Sequence, residues 1–196
     1  GATHQCNEDI ALMRTIPGMI VINPSDDVEA KAAVKAAYEH VGPVYLRFGR
    51  LAVPVINDND DYKFEIGKGK VLREGTDVAI IANGLCVAES LDAAEKLAAE
   101  GINAQVINMA TVKPLDTELV LEAAKATGKV VTVEEHSVTG GLGSMICEVA
   151  ADRCPKRIHR IGMRGFAESA DWKTLLKEYK LDAEGVAEQI LAGLDK

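Results

Sequence analysis

Short apolar runs alternate with longer amphipathic stretches along most of this 196-residue chain. The first run covers 19–23, and Pro24-Ser25-Asp26 then supplies a turn and a helix N-cap before an alanine-rich stretch over 27–40. A second apolar run over 44–48 follows Gly42-Pro43. This order predicts a β-α-β unit with parallel strands. Because two strands do not make a complete sheet, we expect the unit to be part of a larger domain.

The same alternation continues, with more apolar runs, in the second half of the chain. Runs rich in Val and Ile predict strands over 77–82, 103–108, 129–134 and 157–161. The stretches between and after them predict helices over 84–99, 115–126, 142–152, 172–179 and 183–194. Buried strands that alternate with helices predict an α/β fold, with a mostly parallel sheet and helices on both faces.

The region over 51–65 has neither a helical nor an alternating period. It contains Ala-Val-Pro-Val at 52–55 and Asn-Asp-Asn-Asp-Asp at 57–61. Proline and clustered acids of this kind indicate a loop. We therefore predict a domain boundary here, with an incomplete domain over 1–54 and a second domain over 55–196.

Charge and composition exclude several classes of function. The formal net charge is -8, which disfavours binding to a nucleic-acid backbone. No apolar run reaches the roughly 18 residues of a membrane span, and no secretion signal is recognisable. The four cysteines form no C-x-x-C pair, so we interpret them as reduced core thiols of a cytoplasmic protein.

Three residues are candidates for substrate chemistry. His4 lies in Gly-Ala-Thr-His-Gln, a polar segment directly before a helical stretch, where an imidazole could exchange protons near neutral pH. Arg47 and Arg50 follow the predicted strand over 44–48, and ligand crevices lie at the carboxyl ends of parallel strands. A guanidinium there could bind a phosphate or a carboxylate, or it could simply be a solvated strand end.

The segment over 133–144 reads as strand, loop, glycines and helix. Its backbone N–H groups could hold an anion at the start of the helix. However, Gly140 to Gly143 lacks the spacing of a phosphate-binding loop, and no lysine follows. We expect tight loop packing here rather than phosphate binding.

Several motifs in order resemble the transketolase family, particularly the split bacterial type. They are Gly-Ala-Thr-His-Gln at 1–5, Ile-Pro-Gly-Met at 16–19, Pro-Ser-Asp at 24–26, Gly-Pro-Val-Tyr-Leu-Arg-Phe-Gly-Arg at 42–50, Asp-Val-Ala-Ile-Ile-Ala-Asn-Gly at 77–84, Thr-Val-Lys-Pro-Leu-Asp at 111–116 and Val-Glu-Glu-His at 133–136. The resemblance implies part of a pyrimidine-binding domain followed by a transketolase C-terminal domain.

The resemblance also implies a reaction, in which thiamine diphosphate and Mg²⁺ support transfer of a two-carbon ketol unit from a ketose phosphate to an aldose phosphate. By motif, His4 would contact the donor and Arg50 would bind the sugar phosphate. Arg47 is a further substrate-binding candidate, which matches deoxyxylulose-phosphate synthases better than classical transketolases.

The chain lacks the Gly-Asp-Gly motif that holds the cofactor and its metal in this family. The resemblance therefore implies that this chain alone binds no cofactor and is inactive, that an N-terminal half or subunit is its partner, and that the enzyme is a homodimer. The alternatives are 1-deoxyxylulose-5-phosphate synthase, the β subunit of a 2-oxoacid dehydrogenase, and a non-catalytic module for subunit assembly.

Overall fold

A computed structural model describes residues 6–50, 52–58 and 62–194, which form two sheets with associated helices. In chain order the elements are α1 (Asp9–Arg14), β1 (Ile20–Ile22), α2 (Asp27–Glu39), β2 (Val44–Leu46), β3 (Lys70–Arg73), β4 (Val78–Ala82), α3 (Cys86–Ala99), β5 (Ala104–Asn108), β6 (Thr111–Lys113), α4 (Thr117–Thr127), β7 (Val130–Ser137), α5 (Leu142–Arg153), β8 (Ile158–Met163), α6 (Trp172–Glu178) and α7 (Ala183–Leu194).

The larger sheet has the strand order β3-β5-β4-β7-β8. Only β3 is antiparallel to its neighbour, and the other pairings are parallel. Ile80 on one face packs in a core that includes residues of α3 and α7, whereas Ile81 on the other face packs with residues of α4 and α5. Successive strand residues point to opposite faces, so both faces are covered by helices. The predicted fold class is confirmed.

The smaller sheet has the strand order β2-β1-β6. The parallel pairing of β1 with β2 agrees with the predicted β-α-β unit. The third strand, β6, lies antiparallel to β1 and comes from the chain after β5. The strand β6 thus belongs by sequence to the second predicted domain but pairs in the smaller sheet with strands of the first. The two sheets are therefore interleaved along the sequence.

The four cysteines are all free thiols, but they differ in exposure. Cys86 is buried, Cys147 and Cys154 are half-buried, and Cys6 is exposed. The prediction of core thiols is therefore right for Cys86 and wrong for Cys6. Within the described part of the chain, no helix combines the length and the apolar character that a membrane crossing requires.

Candidate functional site

Arg47 lies directly after β2, and its side chain bridges the two sheets. Its Nε donates to Asp9 Oδ2 at 3.0 Å, and its Nη1 lies 3.4 Å from Glu135 Oε2. Its Nη2 donates to the backbone oxygens of Glu135 at 3.0 Å and of Cys6 at 3.3 Å. The side chain is only 11% exposed. The guanidinium therefore connects α1, the end of β2 and β7 in one charged contact.

The acids around this guanidinium set its charge and that of Tyr45. Burial acts to lower the pKa of Arg47, but the carboxylates of Asp9 and Glu135 outweigh it and raise that pKa. Tyr45 donates its hydroxyl to Asp9 Oδ2 at 2.8 Å. Burial, together with this hydrogen bond, raises the pKa of Tyr45 to about 12. At neutral pH the phenol is thus protonated and the guanidinium charged.

His136 in β7 is fully buried and holds the segment that follows His4. Its Nε2 accepts a hydrogen bond from the Ala11 backbone N–H at 3.3 Å, and its Nδ1 lies 2.8 Å from the Ser137 carbonyl oxygen. Burial lowers the pKa of His136, so the ring is neutral. Its proton lies on Nδ1, because Nδ1 faces a carbonyl oxygen and Nε2 accepts a hydrogen bond. The Ser137 N–H also donates to the Asn7 carbonyl oxygen at 2.7 Å. Strand β7 therefore fixes the backbone from Asn7 to Ala11.

Glu134 is a buried acid two residues before His136 in β7. It accepts the backbone N–H groups of Leu142 at 2.7 Å and Gly143 at 2.9 Å, at the start of α5. Burial raises its pKa to about 7, although these two hydrogen bonds oppose the shift. A Cβ on Gly141 would lie 2.0 Å from Glu134 Oε2, so only glycine fits there. The expected tight packing of this loop is confirmed.

We call these residues the Arg47 cluster: Asp9, Tyr45, Arg47, Glu134, Glu135 and His136. A second buried polar group, the Glu29 cluster, lies where the region before β3 meets β5. It comprises Ser25, Asp26, Glu29, Asn57, Tyr62 and Asn108.

Glu29 is 2% exposed and has no ion pair among the described residues. It accepts hydrogen bonds from the Ser25 N–H and hydroxyl, both at 2.7 Å, and from Asn108 Nδ2 at 2.9 Å. The Tyr62 hydroxyl is its fourth donor. The cluster therefore joins α2 to the end of β5 through hydrogen bonds alone.

Asp26 in the same cluster is the N-cap of α2. It accepts backbone N–H groups from Glu29, Ile56 and Asn57 at 2.7 to 2.8 Å. Burial acts to raise its pKa, but these bonds outweigh burial and lower it. Asp26 thus stays ionised and ties the start of α2 to the segment before β3.

The three residues predicted to bind substrate have different surroundings. Arg50 is exposed, and no hydrogen bond or ion pair joins it to the rest of the described chain. Arg47 is almost buried in its cluster. His4 lies outside the described residues, which begin at Cys6. The structure therefore separates the two arginines into a solvent-facing and a buried group.

Sequence reasoning did not single out Asp9, Glu29 or Glu135. The available signal was in Glu134-Glu135-His136, where three successive ionisable residues follow an apolar strand. Charged side chains are seldom buried unless they are paired, so such a run predicts partners elsewhere in the chain. It does not reveal that Asp9 and Arg47 are those partners.

These features define a class of α/β protein in which a helix-covered, mostly parallel sheet is joined to part of a second sheet through buried polar clusters. The family model for the transketolase C-terminal domain matches residues 67–186, and the model for the transketolase pyrimidine-binding domain matches residues 1–55. The chain belongs to the transketolase family.

Curated relatives and a solved structure agree with this assignment. A putative transketolase C-terminal section from Methanocaldococcus jannaschii is 44% identical, over 100% of this chain and 62% of its own length. A 6-deoxy-6-sulfo-D-fructose transketolase subunit from Clostridium sp. is 47% identical, over 91% of this chain and 55% of its own length. A split-gene transketolase, described as an inactive β4 tetramer, superposes with a TM-score of 0.95 at 46% identity, over 100% of this chain and 64% of that one.

This chain thus spans about three fifths of the length of the relatives it matches. The family depends on thiamine diphosphate. The N–H groups of Leu142 and Gly143 at the start of α5 donate to Glu134, so they are not available to a diphosphate. No cluster of metal-binding side chains occurs within 6–50, 52–58 or 62–194.

Proposed function

We propose that this chain forms the substrate-side part of a transketolase. In the complete enzyme, thiamine diphosphate and Mg²⁺ support transfer of a two-carbon ketol unit from a ketose phosphate to an aldose phosphate. An N-terminal half or subunit holds the cofactor, and two copies of the complete unit form a homodimer. The chain divides at residues 54 and 55 into part of the pyrimidine-binding domain and the C-terminal domain.

The observation that carries this proposal is the anchoring of the segment next to His4. The carbonyl oxygens of Cys6 and Asn7 accept hydrogen bonds from Arg47 and from the Ser137 N–H. Such anchoring suits a loop that must hold a catalytic imidazole in one place, since small misplacements of a catalytic group reduce rates steeply. We propose that His4 contacts the donor sugar and that Arg50, which is exposed and follows Arg47 by three positions in the sequence, binds the sugar phosphate.

Arg47 was predicted as a third substrate ligand, and this stays a prediction. Its five hydrogen bonds to Asp9, Glu135 and Cys6 favour a positioning role instead. A guanidinium that already pairs with two carboxylates has little capacity left for a phosphate.

The test combines this chain with its N-terminal half, thiamine diphosphate and magnesium, and measures formation of sedoheptulose phosphate from pentose phosphates. We expect ketol transfer by the pair and none by this chain alone. A folded pair that binds the cofactor without transferring a ketol unit would contradict the proposal. That outcome would favour another member of the family, and 1-deoxy-D-xylulose-5-phosphate synthases are among the relatives matched.

Two substitutions assign the roles. His4→Ala should lower kcat roughly 100-fold, because proton transfer to the donor is lost. Arg50→Ala should raise KM for phosphorylated sugars by roughly tenfold with little change in kcat, since the phosphate is remote from the reacting carbons. Arg153→Ala is the control, because Arg153 is exposed in the last turn of α5 and, among the described residues, pairs only with Glu118. Equal KM values for sugars with and without phosphate would remove Arg50 from this role.

A non-catalytic assembly module is the competing function. It predicts that the chain binds its partner and that activity is unchanged in both the His4→Ala and the Arg50→Ala variants. Size measurement of the mixture together with the ketol-transfer assay separates the two functions.

A further inference from the structure

A cavity of about 280 Å³ lies at the amino ends of β7 and β8. The Arg47 cluster lies at the carboxyl end of β7, so the cavity and the cluster are at opposite ends of this strand. The cavity is lined by Gly128, Lys129, Val130, Val131, Lys156, Arg157, His159, Ile190 and Gly193. Its volume is close to the lower end of the range for small-molecule sites, so it suits a ligand of a few carbon atoms.

The charge of this cavity differs from that of the whole protein. The chain has a net charge of -8, yet Lys129, Lys156 and Arg157 line the cavity and none of its described lining residues is acidic. Lys156 is held in place by donating its Nζ to the Ala124 carbonyl oxygen in the last turn of α4. Concentrated positive charge in a concave surface attracts anions.

His159 also lines this cavity, and one of its ring nitrogens is buried. Its Nε2 is shielded from solvent and has no hydrogen-bond partner among the described residues. Burial, followed by the nearby charges of Arg157 and Arg164, lowers its pKa. Buried polar atoms without a partner are uncommon in folded proteins. An anion in the cavity would lie beside this ring and would face the positive charges of Lys156 and Arg157.

The floor of the cavity is apolar and its mouth is kept open by a glycine. Val131 and Ile190 are 4% and 1% exposed. A Cβ on Gly193 would lie 3.7 Å from the His159 ring, so any longer side chain there would enter the space beside the imidazole. We propose that this cavity binds a small organic oxyanion, with its charged head near Lys156 and Arg157 and its apolar part on Val131 and Ile190.

The test titrates the full-length protein with inorganic phosphate, valerate and acetate at constant ionic strength, and follows the ¹³C-labelled imidazole of His159 by NMR. The signal is assigned by its loss in His159→Gln. We expect a saturable shift with a dissociation constant of about 1 mM or lower. The pKa of His159 should rise when the site is filled, because an adjacent anion stabilises the imidazolium. Valerate should bind roughly tenfold more tightly than acetate, because its longer chain covers the apolar floor.

Matched variants make the result specific to this cavity. Arg157→Gln should weaken binding about tenfold, and Gly193→Leu should do the same by filling the space without changing the charge. Arg73→Gln removes the same charge from β3, which is the opposite edge strand of the larger sheet from β8, and should leave the affinity unchanged. Saturation by phosphate alone identifies a phosphate-bearing ligand, and saturation by valerate alone a carboxylic acid. Failure of every anion to saturate, or equal affinities in Arg157→Gln and Arg73→Gln, would overturn the proposal.

Discussion

The Arg47 cluster and the Glu29 cluster both hold the two sheets together, but they neutralise buried carboxylates differently. In the first, Asp9 and Glu135 face the Arg47 guanidinium at 3.0 and 3.4 Å. In the second, Glu29 relies on hydroxyl, amide and backbone N–H donors. An ion pair fixes both partners but leaves a stranded charge if one is removed, whereas a set of neutral donors shares the charge among several groups.

Two acids of these regions show the same contrast in their pKa values. Asp26 accepts three backbone N–H groups, and its pKa is lowered in spite of burial. Glu134 accepts two and is fully buried, and its pKa is raised to about 7. The balance between burial and the number of donors therefore decides which buried acid stays charged.

The largest expected effect is on the Arg47 cluster. Arg47→Met strands two carboxylates in a poorly solvated place and should lower the free energy of unfolding by about 3 to 5 kcal/mol, measured by denaturant titration. The control Arg153→Met breaks an exposed ion pair and should change it by less than about 1 kcal/mol.

The triple variant Asp9→Asn, Arg47→Met and Glu135→Gln sharpens this prediction. It removes all three charges at once, so it should recover part of the stability lost in Arg47→Met. If Arg47→Met costs no more than Arg153→Met, the cluster does not join the sheets in the way described.

Glu29→Ala should have the next largest effect. It leaves donors of Ser25, Tyr62 and Asn108 without their acceptor, and should lower the free energy of unfolding by about 2 to 3 kcal/mol. Glu29→Gln keeps one side-chain oxygen as an acceptor and should lower the free energy of unfolding by less. A loss in Glu29→Ala as large as that in Arg47→Met would erase the distinction between the two clusters.

Glu134 predicts a dependence of stability on pH. Its folded pKa of about 7 lies above the ordinary value of 4.5. Its contribution is therefore fully present below pH 4.5 and is lost as the pH rises through 7. Burial lowers the pKa of His136, which gives the opposite slope below its ordinary value of 6.5. The difference between wild type and Glu134→Gln isolates the glutamate.

Asp26→Asn is the counterpart for that measurement. The pKa of Asp26 is lowered, so its contribution is present above the ordinary value of 3.8 and is lost in more acidic solution. The stability difference between wild type and Asp26→Asn should therefore shrink below pH 3.8, whereas that for Glu134→Gln should change between pH 4.5 and 7. Unfolding curves at several pH values that give both differences the same sign of slope would contradict this reading.

The sequence predicted the fold better than it predicted these clusters. The strand and helix positions in the larger sheet follow from local runs of Val and Ile, so β4 and β5 were placed to within one residue of their bounds. β6 was missed because it has three residues, and its pairing with β1 depends on a partner far away in the sequence. The predicted strand over 129–134 ends before Glu135 and His136, which β7 in fact includes.

The candidate site could be predicted only in part for the same reason. Arg47 stands at a strand end, which the sequence shows, but its acids are 38 and 88 positions away. No local period links residues at such separations. The pairing therefore required the packed structure, and so did the distinction between the buried Arg47 and the exposed Arg50.

The smallest expected effects come from two tyrosines that each donate a hydrogen bond to a carboxylate of their cluster. Tyr45 donates to Asp9, and Tyr62 donates to Glu29. Tyr62→Phe should lower the free energy of unfolding by about 1.5 kcal/mol, because Glu29 has no cation to compensate for the lost donor. Tyr45→Phe should cost only about 0.5 kcal/mol, since Asp9 keeps its contact with Arg47.

The two tyrosine variants differ from wild type by one oxygen atom each, so packing changes are small and matched. In the Arg47→Met background, Asp9 has no cation, and Tyr45→Phe should then cost as much as Tyr62→Phe does in wild type. A double-mutant cycle measures this directly. If Tyr45→Phe lowers the free energy of unfolding equally with and without Arg47, the cation does not compensate the charge of Asp9. The contrast between an ion-paired and a hydrogen-bonded cluster would then be wrong.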